Sequence, residues 1–275
     1  MVAFIHKLIN TKQGVLVLPR VDTLDLVKLP EPDVRAESVT QLLPIGTALI
    51  TDDGVYRYAK CGGVAVTIGK LLQQAAVGDA TWIKDVAVEA VAAVGDTSVT
   101  ITTPTGGLTA NQLKDGHLFV NDCGTSTGEG AVYKIKSHPA AAAAASCVIT
   151  LVDPIEVALT TSSEVGLRAN PYDGVIVSPT TPTGVPVGVV NHSSFTASYY
   201  AWIKTKGIVA LLTNGTVVVG KKCVAGLTTA GSVDTMALTE GAPNTGSDQA
   251  EVGVVMNVGA TTEYSLVKID LDPSW

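Results

Sequence analysis

The 275 residues carry 18 Lys and Arg against 25 Asp and Glu, a net charge of −7, with 46% hydrophobic and 16% charged residues. This much apolar content argues against a disordered chain, and the acidic balance argues against charge-driven nucleic-acid binding. The low charged fraction fits a protein that hides surface against neighbours, and the length suffices for one large or two smaller domains.

Residues 1–45 stand apart. Short apolar pieces are broken by Pro19, Pro30, Pro32 and Pro44, and proline removes a ladder donor and favours extended backbone. The segment reads as an extended arm or as edge strands, laid across a neighbour or folded back on its own domain. Its apolar side chains, Val15, Leu16, Val17, Leu18, Leu24, Leu26, Val27 and Leu29, are the candidate partner-binding residues. The opening MVAFIHKLINTK has too short an apolar run for a signal peptide, and no run of 18 apolar residues suits a membrane helix.

From Ile45 the pattern turns to strands. GTALITDDGVYRYAKCGGVAVTIGKLL predicts three strands, joined by tight turns at Asp53-Gly54 and Gly62-Gly63. Tyr56 and Tyr58, two apart, share one face. Residues 79–178 add short β-branched runs bounded by Gly, Asp, Asn or Pro, the spacing of a sandwich or barrel. Within 86–93 a short helix competes with a strand. Six alanines, Ala140–Ala145, separate two of these runs. Alanine favours helix, but so few residues make no free-standing one, so the run reads as a hairpin connection of up to one helical turn.

TTPTGVPVGVVNHSSF, after Pro179, reads as a linker. Asn214-Gly215 predicts a hairpin between Val-rich strands, and Tyr264–Leu271 alternates as a final strand. The expected fold class is all-β, sandwich or barrel modules with an extended N-terminal arm. The expected domains are the arm at 1–45, a β-rich domain at 46–178, and a C-terminal β-rich domain at 179–275 that could pack with 46–78.

No sequence signature of catalysis stands out. There is no G-x-S-x-G and no H-E-x-x-H, and His6, His117, His138 and His192 are scattered. Cys61, Cys123, Cys147 and Cys223 form no C-x-x-C pair and read as reduced thiols. Asp52-Asp53 suits a turn. Asp122 and Glu129 sit on a Gly-rich stretch that holds only fragments of a calcium loop. Neither a metal nor a cofactor is expected. Trp82, Trp202 and Trp275, with Tyr199-Tyr200, read first as packing residues and second as a carbohydrate platform.

Three stretches resemble structural proteins of tailed bacterial viruses. They are DDGVYRYAKCGGVAVTIGKLL, LTANQLKDGHLFVNDCGTSTGEGAVYKIKSHPAA with the LVDPIEVALTTSSEVGLRANPYDGVIVSP that follows, and the ending from YYAWIKTKGIVALLTNGTVVVGKKC. The resemblance covers roughly residues 45 to 271. A major shell protein would need a long helix, and a fibre protein would show repeats or heptads. The resemblance therefore implies a capsid decoration, or cement, protein without catalysis. It would be a homo-oligomer, a trimer by preference, assembled in the host cytoplasm and bound to the major capsid protein on the outside of the virion. Neither nucleic acid nor membrane would be a partner. Many weak contacts repeated by symmetry would hold it there, the arm adding strands to a neighbour's sheet edge. The rivals are a tail- or fibre-associated protein, a glycan-binding adhesin with exposed aromatics around Trp202 and Tyr199, and a hydrolase using Asp122 and Glu129.

Overall fold

The computed structural model describes residues 7–19, 30–76, 82–123, 128–236, 249–260 and 262–272. No α-helix occurs among them, and the chain is all-β. It divides into two compact units, Met1–Ala76 with Pro171–Trp275, and Val77–Asn170. The division departs from the expected single domain at 46–178 but agrees with the expected option that 46–78 packs with the C-terminal segment. Residues 46–76 and 171–178 belong with the C-terminal segment, because strands at 54–60 and 71–73 find their ladder partners beyond residue 171.

The first unit opens with β1 (Lys7–Asn10), β2 (Val15–Leu18), β3 (Glu37–Ser38), β4 (Ala48–Thr51), β5 (Gly54–Lys60), β6 (Val66–Thr67) and β7 (Leu71–Gln73). The second holds β8 (Val86–Ala87), β9 (Ser98–Thr102), β10 (His117–Asp122), β11 (Val132–Ser137), β12 (Ser146–Leu151) and β13 (Glu164–Arg168). The first unit then resumes with β14 (Ile176–Val177), β15 (Pro186–Val190), β16 (Ser194–Phe195), β17 (Tyr200–Leu212), β18 (Lys222–Ala225), β19 (Val233–Thr235), β20 (Glu251–Asn257) and β21 (Tyr264–Asp270).

In the second unit a six-stranded sheet runs β8-β13-β10-β11-β12-β9. A bridge between Val88, just past β8, and Ile101 of β9 links its two ends, so the sheet nearly closes on itself. Alternate residues such as Val99, Ile101, Leu118, Val120, Cys147 and Ile149 fill the inside. Residues 86–93 form no helix. The alanine run connects β11 to β12, as read, but makes no helical turn. Ala141 instead exchanges backbone hydrogen bonds with Leu108, and Thr103 Oγ1 donates to the carbonyls of Ala142 and Ala145. A Cβ on Gly107 would lie 2.8 Å from the Ala141 carbonyl oxygen, so two backbones touch where side chains are small.

In the first unit the main path of a 13-stranded sheet is β1-β2-β4-β5-β17-β21-β20-β18-β19. β17 is its hub: Tyr200–Gly207 pairs with β5, and Lys206–Leu212 pairs with β21. Three apolar clusters lie in this unit, one of them formed by Leu16, Leu18, Leu43, Leu49, Tyr56, Tyr58 and Trp202.

Several local expectations need correcting. The β4–β5 hairpin turns at Asp52-Asp53, with Thr51 opposite Gly54, one residue earlier than read. Gly62-Gly63 joins no hairpin, since β6 pairs with β16, and Gly62 donates instead to the Val175 carbonyl. Nor does Asn214-Gly215. Its side chain bonds Thr228 and Thr229, Val217–Val219 form no strand, and β17 turns to β21 for a partner. The supposed linker after Pro179 contains β15, buried along its whole length. A strand covered on both faces shows no alternation to read.

Candidate functional site

Val15–Leu18, the described part of the candidate partner-binding set, form β2 and pair with β1 on one side and β4 on the other. Leu16, Val17 and Leu18 are buried and Val15 is half-buried. This portion is a strand of the chain's own sheet, and its side chains are spent on the chain's own core. Hairpin pairing supplied what an isolated apolar strand lacks, a sheet to join. Leu24, Leu26, Val27 and Leu29 lie outside the described residues.

Downstream of them, residues 30–43 wall a cleft of about 100 Å³ against the sheet. Its floor is aromatic. Trp202 of β17 stands opposite Tyr58 of β5, and Tyr200 lies on the same face two residues away. The Tyr58 and Tyr200 rings stack at 6.1 Å between centroids, with Trp202 edge-on to Tyr58 at 5.3 Å. The Tyr58 hydroxyl accepts from Leu42 N at 3.1 Å, and burial pushes its phenol above the ordinary value. Lys60 Nζ sits 5.8 Å from the Tyr200 ring centroid.

The rim is acidic, and each carboxylate pins the wall in place. Glu31 Oε2 accepts from Lys12 N at 3.2 Å, and Asp33 Oδ1 accepts from Arg35 N at 2.9 Å in a local turn. Glu37 Oε1 accepts from Thr196 N at 3.0 Å and lies 3.3 Å from His192 Nε2. Burial holds the His192 imidazole below its ordinary value, against a smaller upward pull from Glu37. β3 completes the wall by pairing Ser38 with Tyr200 and Glu37 with Ala201. Pro30 and Pro32 stiffen the approach.

A second polar cluster lies on the same two strands. Lys204 is buried, bonded to Asp53 Oδ2 at 2.6 Å and to the Ile208 carbonyl at 3.0 Å, with its ammonium 5.4 Å from the Tyr56 ring centroid. Burial first, then the Asp53 charge and hydrogen bond, push Tyr56 up to about 12. These groups hold the β4–β5 turn against β17.

The remaining chemistry-bearing residues scatter. Asp122 and Glu129 are both exposed, and Glu129 Oε1 accepts from Cys123 N at 3.4 Å. His138 is buried: its Nε2 accepts from Leu113 N at 3.0 Å and its backbone N donates to Asn111 Oδ1. All four cysteines are free and buried. Among the described residues no three His, Cys, Asp or Glu side chains gather as a metal site. His6 and Trp275 lie outside the described residues. Trp202 is buried as the packing reading expected, while Tyr199 and Tyr200 are half-buried.

Sequence reasoning missed the cleft. Glu31, Asp33 and Glu37 fall in a Pro-interrupted stretch, and Tyr58 meets Trp202 only through the register of β5 on β17. The one available signal was the Tyr56/Tyr58 alternation, which places both rings on one face.

Fold and cleft together define an all-β protein whose described polar groups brace strands and the wall of the cleft. No protein-family model, curated protein or solved structure matches the chain.

Proposed function

We propose that the chain is a virion structural protein that acts by surface contact, decorating the outer shell of a tailed-phage capsid as a cement protein. One structural observation supports action by contact. The outer face of β17, β21 and β20 presents Ile208, Leu266, Tyr264 and Met256, each 38–47% exposed. Registers Ala210↔Leu266 and Leu212↔Tyr264 set this surface on adjoining strands, and the Tyr264 hydroxyl reaches the carbonyl of Ile68, itself exposed. Exposed Lys268 stands opposite Ile208 on the same face, so these apolar groups form a patch with a polar edge, the makeup of a contact surface. The capsid as partner rests on the sequence resemblance alone. With β2 built into the chain's own sheet, attachment falls to exposed faces of this kind rather than to Val15–Leu18.

Cryo-electron microscopy of purified particles containing the chain tests the reading. A regular lattice of density over the shell is the expected result. Density confined to the tail or fibre tips would overturn it in favour of a tail-associated protein or adhesin. Absence of the chain from particles would overturn both.

A further inference from the structure

We infer that the outer face of β13, β10 and β11 in the second unit docks onto the same face of a second copy of this chain, the two copies related by a two-fold axis that runs across the strands at Phe119. Leu118, Val120, Tyr133, Ile135, Val165 and Leu167 point inward, so the residues between them form this outer face. The register sorts charge along it. At one end His117 stands directly opposite Lys134 on one side and Arg168 on the other. At the other end Asp122 stands opposite Glu164, and exposed Glu129 lies close by, its carboxylate accepting from Cys123 N at 3.4 Å. Like charges set directly opposite one another destabilise a sheet. Relief at the basic end is partial. Asp115 Oδ1 lies 3.9 Å from Lys134 Nζ, while among the described residues the Arg168 guanidinium has neither a hydrogen bond nor an ion pair. Partial burial, and then the Lys134 charge, hold the His117 imidazole below its ordinary value, so Arg168 and Lys134 carry the charge of this row.

Between the two rows the face is apolar. Phe119 stands opposite Val132, which is 60% exposed, and opposite Gly166, where any Cβ would collide with the Phe119 ring and the Ile83 carbonyl. The ring therefore lies over the glycine and keeps the centre of the face low. His117 and Asp122 are about 17 Å apart at strand spacing, about twice the screening length at physiological salt, so the rows act as separate poles. The two-fold axis sets Arg168 of one copy over Glu164 of the other and His117 over Asp122, at both ends, with Phe119 and Val132 near their own mates. An axis along the strands would set like rows against each other, so the charge pattern selects the first arrangement. A polyanion would match the basic end alone and a basic peptide the acidic end alone, whereas a second copy matches both. The same patch serves both copies, so the assembly closes at two. The face is smaller than the roughly 800 Å² per partner of a standard interface, so the dimer is weak, with a Kd on the order of 0.1 mM. The inference concerns the second unit's own face and stands apart from the capsid reading, so either can fail alone.

Sedimentation equilibrium of the full chain at low salt, up to about 1 mM protein, tests this by charge exchange. The native chain is expected to form a dimer that weakens by about tenfold or more when salt is raised from about 0.05 M to about 0.5 M. Arg168→Glu/Lys134→Glu makes both poles acidic, and Asp122→Lys/Glu164→Lys makes both basic. Each variant alone is expected to self-associate at least about tenfold more weakly than the native chain, and an equimolar mixture of the two is expected to restore dimers. Unfolded chains would not restore them, so the mixture also reports that both variants fold. Val132 is largely exposed, so Val132→Lys leaves the core intact, and by placing two ammonium groups at the axis it is expected to weaken the dimer by about tenfold. A native chain that stays monomeric, or one that forms trimers, would overturn the proposal. So would self-association that Val132→Lys and both charge variants leave unchanged, or a mixture that associates no better than its components.

Discussion

Lys204 Nζ and Asp53 Oδ2 lie 2.6 Å apart, yet the lysine side chain is 1% exposed and the aspartate side chain 60%. The two partners therefore face different consequences when the other is removed. Lys204→Met leaves a carboxylate that water solvates. Asp53→Asn leaves a buried ammonium with the Ile208 carbonyl and the Tyr56 ring. An uncompensated buried charge is costly, whereas an apolar side chain of similar volume is often tolerated. Asp53→Asn is expected to lower stability by about 1–3 kcal/mol and by more than Lys204→Met does. Urea denaturation of both variants measures the order, and the reverse order would show that the pair is not held as described.

The N-terminal hairpin is expected to behave as core. Leu16 is 1% exposed, so Leu16→Ala should cost about 2–5 kcal/mol. Leu8, on the neighbouring strand, is 64% exposed, and Leu8→Ala should stay within about 0.5 kcal/mol. An unchanged denaturation midpoint for Leu16→Ala would mean that β2 leaves the sheet in solution. Deleting residues 1–45 is expected to destabilise the first unit, so it is a poor assay of attachment.

Acid should loosen the packing around His192. Burial keeps its imidazole below the ordinary 6.5, so the folded state prefers the neutral ring. The unfolded chain binds more protons between the folded pKa and about 6.5, so this contribution is present above that range and lost as pH falls through the folded value. The difference in unfolding free energy between the native chain and His192→Gln isolates it from the carboxylates. That difference is expected to shrink as pH falls from about 7 to 5, and a flat profile would contradict the assignment.

The cysteines should be silent in the folded chain. Burial pushes Cys61 up to about 11, with Glu37 adding to it, and Cys223 up to about 12, and it raises Cys147 as well. A thiol that stays protonated and covered reacts slowly. Dithionitrobenzoate is expected to titrate none of the four in the native protein and all four in denaturant. Rapid native labelling of Cys61 or Cys223 would refute this packing.

The strand content was legible in the sequence wherever one face of a strand meets water. Tyr264–Asp270 alternates residue by residue, and its structure alternates exposed and buried in step. The same logic failed at Pro186–Val190, buried on both faces, and at the Val217–Val219 run, whose residues find no strand partner. Hairpin signals marked breaks between strands but not partners. Asn214 and Gly62 lie between strands, yet the ladders beside them run to distant segments.

By itself the sequence determined the all-β class and the exposed and buried sides of its alternating strands. These follow from side-chain volume, β-branching and a period of two, which act over a few residues. Only the tertiary structure decided that residues 15–18 serve their own sheet, that 77–170 form a separate unit, and that Tyr58, Tyr200 and Trp202 meet under an acidic wall. The last of these depends on register between strands more than a hundred residues apart, β5 and β17. A slip of one residue would turn every ring to the opposite face, and no local pattern encodes the choice.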